Sequence, residues 1–452
     1  MFQRQSHLLY DNPTQKNYGI AILDIDQDGH PEAFVTVFGF RNLVLKWDGD
    51  KYVDIAPPEL ADNQRQAIGV AAADFDGDGL EELYVLNTDT FGGPKRFGDR
   101  LFDFAGGEWT DLFSLPVSQG IRNMTAGRSV ITVDRTGRGR YGFYVANYGG
   151  PVRLYELDDD GYVVDVAPDV GVNLVTGGRA AVSLPLISRH MDIFAANELG
   201  PNFLFVNNGN GLYEEVAVNY NIGDAGQNGR GIAVLDANGD GQLDLVYGNW
   251  EGPHRMFVRQ GSSEFRDIAP PEMAAPSRIR SVIAADFDND GYEEIFFNNI
   301  GEPNRLFAWR DERWQQVAIG EAEEALGVGT GAAAADLNGD GRLELLIAHG
   351  EQGPQPLSLF AAAENDHHWI RVMPLTEAGA PARGAIVRVT AGGRTQVRAV
   401  DAGSGYLCQM EPVAHFGLGP VDAVEAVEVI FPGGETFSLE APAVRETHTV
   451  QA

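Results

Sequence analysis

A nine-residue acidic pattern, D-x-[DN]-x-D-G-x-x-[DE], recurs five times at fixed phase, and this recurrence restricts the fold more than any other feature of the chain. It reads DIDQDGHPE from Asp24, DFDGDGLEE from Asp74, DANGDGQLD from Asp236, DFDNDGYEE from Asp286 and DLNGDGRLE from Asp336. The leading residues are 50, 162, 50 and 50 positions apart, and the long gap holds two worn copies. One, GRSVITVDRTGRGRYGFYVAN, puts Asp134 in the leading position; the other, GRAAVSLPLISRHMDIFAAN, puts Pro185 there. Leading positions 24, 74, 134, 185, 236, 286 and 336 define seven units of about fifty residues.

Every unit repeats one plan. A run of small residues precedes the loop (YGIAIL, IGVAAA, GRGIAVL) and a branched or aromatic run follows it (AFVTV, LYVLN, IFFNN). A Gly/Pro turn, a third run such as GPHRMFV and a fourth such as EFRDIA complete the unit. Four short strands per unit with turns between them describe a propeller blade. The predicted fold is all-β: a seven-bladed β-propeller over 1–364 and a small β-sandwich-like domain over 365–452. The last unit lacks a fourth strand, and FQRQSHLLY at the N-terminus is expected to supply it and close the ring.

The loops start like EF-hand loops, but position twelve, where an EF-hand needs a bidentate Glu, holds Val35, Val85, Tyr247, Phe297 and Ile347. The late carboxylate comes at position nine instead, so these are β-hairpin metal loops. Oxygens at positions one, three and five converge when the chain curls, glycine at six permits the turn, and the carbonyl at seven can add a ligand. The candidate ligands are therefore Asp24, Asp26, Asp28, His30 and Glu32; Asp74, Asp76, Asp78, Leu80 and Glu82; Asp236, Asn238, Asp240, Gln242 and Asp244; Asp286, Asp288, Asp290, Tyr292 and Glu294; and Asp336, Asn338, Asp340, Arg342 and Glu344. A hard cage of carboxylates favours Ca²⁺, at about five sites. The third unit has Arg138 and Gly142 where ligands belong, and the fourth has lost its acids and one loop residue, so neither is expected to bind metal.

Charge supports the same partner. Acidic residues outnumber basic ones 65 to 33, a formal net charge of −32 that disfavours nucleic acid and anionic membranes. No apolar run has the length of a membrane span. The single cysteine, Cys408, excludes an intramolecular disulfide and reads as a buried small hydrophobe. The start of the chain lacks a basic-then-apolar leader, so the compartment is not legible from it.

The units resemble the FG-GAP/VCBS repeats of integrin-α-like propellers. HHWIRVMPL at 367–375, RGAIVRV at 383–389, GSGYLCQ at 403–409, HFGLG at 415–419 and VEVIFPGGE at 427–435 look like an ASPIC/UnbV domain. Repeats followed by that domain are similar to the cartilage acidic protein family, and the chain is identified as a bacterial-type member. The resemblance implies a calcium-dependent, usually secreted protein of adhesion or matrix interaction, hence an extracellular or periplasmic location.

Two further columns run around the ring. Six residues before each loop stand Tyr18, Ile68, Arg128, Arg179, Arg230, Arg280 and Thr330; past it stand Val37, Asn87, Asn147, Asn197, Asn249, Asn299 and His349. A hairpin sets the columns side by side, roughly 20 Å from the acidic loops, where the central channel opens. Arg128, Arg179, Arg230 and Arg280, with Asn147, Asn197, Asn249, Asn299, His349, Trp250 and Glu251, are the candidate ligand-binding residues. The functional reading is a pocket for a carboxylate, sulfate or phosphate. The plainer alternative is arginines paired with neighbouring acids and asparagines capping strand ends. The function read from the sequence is a calcium-rigidified binding module for a protein, glycan or anionic small molecule. The rival is a calcium-dependent lyase, cyclase or isomerase working at the arginine-lined mouth; no nucleophile elbow, zinc motif or phosphate loop is present.

Overall fold

A computed structural model describes residues 1–261 and 264–452. It is a seven-bladed propeller with a two-sheet β-domain after it. Each blade is an antiparallel sheet in sequence order; the first runs Asn17–Leu23, Glu32–Val37, Leu43–Trp47 and Tyr52–Asp54. The seventh blade is assembled from both ends of the chain: Gly329–Ala335, Glu344–His349 and Ser358–Ala362, then Phe2–Arg4 with Phe2 opposite Ala362. Blades three and four are fused, because the long strand Gly142–Pro151 extends past its own blade and pairs with Val175–Leu184. No helix of the described residues is long and apolar enough to cross a membrane.

The second and third strands alternate branched and aromatic side chains that pack between blades, as Phe34 and Val44 of the first blade do with Val70 on the first strand of the second. The C-terminal domain packs two sheets on a core that includes Ile370, Val387, Phe416 and Val429. One sheet sets His368–Leu375 between Ala414–Gly419 and Thr447–Gln451; the other is Arg394–Ala399, Ile386–Ala391, Ala426–Ile430 and Thr436–Glu440 in spatial order.

The channel is filled, contrary to the sequence reading, which had it open at the arginine end. A finger of the C-terminal domain, residues 401–411, threads it. Thr132 N–H donates to the Ala402 carbonyl (2.8 Å), Ile232 and Gly405 exchange N–H···O bonds (2.8 Å each), and Gln409 N–H donates to the Ile20 carbonyl (2.8 Å). The finger turns on itself, with Ser404 N–H bonded to the Cys408 carbonyl at 3.0 Å. This close approach explains the small residues of the inner strands: a Cβ on Gly231 would overlap the Gly405 carbonyl, and one on Gly331 would reach Cys408 Sγ at 2.7 Å.

Candidate functional site

The acidic loops all lie at one end of the ring, each between the first and second strand of its blade. The position-one carboxylate braces the curl: Asp24, Asp74, Asp236, Asp286 and Asp336 each accept the N–H of the glycine at position six, at 2.9–3.0 Å. The position-five carboxylate accepts the N–H of residue seven, as Asp28 does from His30 (3.0 Å) and Asp290 from Tyr292 (2.8 Å). At position nine one oxygen accepts the N–H that follows the first Asp, from Ile25 to Glu32 (2.8 Å) and from Phe75 to Glu82 (2.6 Å); the second oxygen accepts no hydrogen bond in these two, but takes the Arg259 N–H in Asp244 (2.8 Å), Arg310 in Glu294 (3.2 Å) and the Asn338 amide in Glu344 (3.0 Å). The Asp24–Asp26–Glu32, Asp74–Asp76–Asp78 and Asp286–Asp288–Asp290 sets bring oxygens within 4.8 Å of one another, three clusters with the donor chemistry of a divalent hard cation. Blades five and seven substitute Asn238 and Asn338 at position three.

These carboxylates are held away from their ordinary ionisation. Burial, then the neighbouring carboxylates, push Glu32 up to about 7 and Glu82 to about 9. Burial, with the neighbouring carboxylates adding to it, outweighs the bonded N–H groups in pushing Asp74 to about 6 and Asp244 to about 7. Such crowding is costly without a neutralising cation, and the buried Oε1 atoms of Glu32 and Glu82 make no hydrogen bond.

The worn loops behave differently from each other. Asp134 keeps the brace, accepting from Gly139 at 2.7 Å, and Arg135 pairs with Glu156 (2.6 Å). In blade four the strand register sets Asp192 opposite Leu184, as Glu32 is set opposite Leu23. Its loop therefore retains the position-nine acid, correcting the expectation that all its acids were lost. Asp192 is spent on the N–H groups of Ile187 (2.7 Å) and Ser188 (2.8 Å).

The C-terminal domain sits over this acidic end. Arg383 clamps Glu81 (2.6 and 3.2 Å), Arg398 pairs with Glu293 (3.3 Å), Arg371 with Asp336 (3.0 Å), and Gly417 N–H donates to Asp286 (3.0 Å). Glu81 and Glu293 occupy position eight of their loops, which the sequence reading left without a role.

At the other end, the register of each inner hairpin shifts at the arginine column, between Gly127 and Ser129 in blade three and between Gly178 and Ala181 in blade four. Arg128, Arg179, Arg230 and Arg280 converge there on Tyr406 at the tip of the finger. Burial raises the Tyr406 phenol, but Arg179, Arg280, Arg128 and Arg230 together overcome it and hold the group below the ordinary phenol range. Arg179 pairs with Glu198, which also lies 3.3 Å from Arg230; Arg280 pairs with Glu351 (2.6 Å). Among the described residues Arg128 bonds only to the carbonyls of Phe91 and Thr90. Burial, then Arg179, pull Arg230 down to about 9. The Nε atoms of Arg128, Arg230 and Arg280 are buried without an acceptor. Trp250 lies against Arg280 (4.9 Å) and Arg230 (5.6 Å), Tyr148 against Arg179 (4.6 Å) and Phe91 against Arg128 (5.2 Å).

The rest of the predicted set is not brought into this cluster. Asn147, Asn197, Asn249 and Asn299 are buried, and each donates at 2.7 Å to a turn carbonyl, of Pro151, Pro201, Pro253 and Pro303. His349 is buried against Ser358 (3.1 Å), and exposed Glu251 pairs with Arg278 (3.2 Å). Tyr406 was missed because no local pattern ties the GSGYLCQ segment to arginines more than a hundred residues away.

Residues 376–452 match the ASPIC and UnbV family, and 24–85, 189–247, 236–297 and 290–347 match the FG-GAP-like repeat. The chain is 47% identical to cartilage acidic protein 1 of Xenopus tropicalis over 95% of its length and 72% of the relative's. It is 45% identical to the mouse protein (95% and 72%) and 45% to the human protein (95% and 71%). These relatives are vertebrate, which corrects the expectation of a bacterial-type member.

Proposed function

The chain belongs to the cartilage acidic protein family, and on that premise we propose that it is a calcium-stiffened binding propeller whose arginine end receives an anionic group of its partner. Calcium in the acidic loops ties the first two strands of a blade together beneath the C-terminal domain. The opposite end takes the ligand: there the described residues set the carboxylates of Glu198 and Glu351 and the phenol of Tyr406 against four arginines. The observation that carries this reading is the excess of buried guanidinium: among the described residues Arg128 lacks a carboxylate, and three Nε donors lack an acceptor. A carboxylate, sulfate or phosphate supplies both the charge and the acceptors, whether borne by a protein, a glycan or a small molecule. The Phe91, Tyr148 and Trp250 side chains that flank the arginines offer apolar contact beside the charge. The relatives carry the name cartilage acidic protein, and on that likeness we assign this chain to the extracellular side.

Calorimetric titration with inorganic sulfate and phosphate, in calcium, tests the assignment. Binding to the native chain, lost in Arg179→Met and Arg230→Met variants that retain their fold, is expected. No heat with either anion, or undiminished binding in both variants, contradicts it.

A further inference from the structure

The third strand of each blade passes beside its acidic loop, and in blades one and two it delivers opposite charges to the same place. The registers are equivalent: Leu45 lies opposite Ala33, and Phe102 opposite Leu83, each partner following a position-nine glutamate. The next residues are Lys46 in blade one and Asp103 in blade two. Lys46 Nζ lies within the first loop, bonded to Asp26, 2.6 Å from Asp28 Oδ2 and 3.4 Å from Glu32 Oε1. It thus touches the acids of positions three, five and nine, the oxygens a metal ion would take.

Blade two presents the same three positions as Asp76, Asp78 and Glu82, and among the described residues no cation pairs with them; Arg140, beside Gly77, acts on Asp76 only from a distance. Glu82 is fully buried and its Oε1, the counterpart of the atom facing Lys46, has no partner; Asp103 Oδ1 is likewise buried and unpartnered. A carboxylate oxygen plus a Ca–O bond of about 2.4 Å extends about as far from Cβ as a lysine ammonium does. An ion bound by Asp103 therefore lies where Lys46 puts its nitrogen in the neighbouring blade. Blade six resembles blade one: Arg310, later on its own third strand, lies 2.9 Å from Asp288, 2.8 Å from Asp290 and 3.2 Å from Glu294.

We infer that the third strand sets which acidic loops hold calcium: Asp103 is a further carboxylate ligand that makes blade two a strong site, and Lys46 is a resident cation that takes the place of the metal in blade one. The inference rests on the calcium reading of the loops and divides them into unequal sites. Ligand number and net charge tune the affinity of an oxygen cage over several decades, so an ammonium in one cage and a fifth carboxylate in the next separate them widely.

The test is calcium titration of the full chain by calorimetry, with stoichiometry checked by equilibrium dialysis, on the native protein, Lys46→Met, Lys46→Gln and Asp103→Asn. Both Lys46 variants are expected to gain one site, or to strengthen one at least tenfold, and Asp103→Asn to weaken one at least tenfold. Calcium binding by the native chain that is unchanged in all three variants overturns this inference and leaves the calcium reading intact. No binding by the native chain overturns the strong site in blade two, and one site appearing only in the Lys46 variants then supports the role of Lys46 alone. No binding by any of the four proteins overturns both.

Discussion

The side-chain amide of Gln409 pairs with both backbone groups of Ala72: its Oε1 accepts the Ala72 N–H at 2.7 Å, and its Nε2 donates to the Ala72 carbonyl at 3.0 Å. A residue of the C-terminal domain thus completes the hydrogen bonding of an inner propeller strand. The two parts of the chain are joined through the channel as well as across the loop face, and the channel finger is a structural element of the ring. Gln409→Ala leaves two buried backbone groups unpaired and is expected to cost about 2 kcal/mol or more. Denaturant unfolding of the variant beside the native chain measures it.

Arg383 makes the corresponding junction at the acidic end. It clamps Glu81 and donates to the carbonyls of Asp401 (3.0 Å), Met410 (3.2 Å) and Ile22 (3.2 Å), with its side chain fully buried. Arg383→Met strands the Glu81 carboxylate and is expected to destabilise by about 3–5 kcal/mol. The double variant Glu81→Gln/Arg383→Met recovers part of that loss, and a double-mutant cycle by chemical denaturation reads the coupling.

Glycines of the inner strands are expected to be intolerant in proportion to the proximity of the finger. Gly231→Ala drives a methyl into the Gly405 carbonyl and to 2.6 Å from the Arg280 carbonyl, a cost of about 3 kcal/mol. Gly200→Ala, with open space around it, is expected within about 0.5 kcal/mol of the native chain. Thermal midpoints of the pair give the comparison.

Tyr406 gives the protein a specific alkaline behaviour. Its phenol is held below the unfolded value by Arg179, Arg280, Arg128 and Arg230 against the opposing effect of burial. A group whose folded pKa is depressed contributes stability in full above the unfolded value, near 10, and loses it as pH falls through the folded value. The stability difference between the native chain and Tyr406→Phe should therefore grow as pH rises through that window. An ultraviolet absorbance titration should show one tyrosine ionising before the rest, absent in Tyr406→Phe and shifted upward in Arg179→Met.

What was legible in the sequence follows from how local each feature is. The acidic ligands lie within nine consecutive residues, so spacing alone locates the loops and the seven-fold phase. The arginine column was equally legible, because each residue stands a constant distance before its loop. What the arginines face was not, since Tyr406 arrives from another domain and its position depends on packing across the whole ring. Lys46 and Asp103 were hidden for a related reason: a turn of variable length separates loop from third strand, and only strand register shows that they are equivalent. The asparagine column left two readings open because a regular position at a strand end serves turn capping as readily as ligand binding, and the bonds to the Pro151, Pro201, Pro253 and Pro303 carbonyls show the former.

The dependence of thermal unfolding on free calcium bears most directly on the claim that the acidic loops lock their blades by gripping a hard cation. A ligand that binds only the folded chain raises its stability with the logarithm of free ligand once the sites are filling, about 2.7 kcal/mol per site at a hundredfold excess over Kd. The midpoint is expected to climb steadily from chelator to millimolar calcium, with a smaller response to magnesium. Superimposable unfolding curves in chelator and in excess calcium would contradict it.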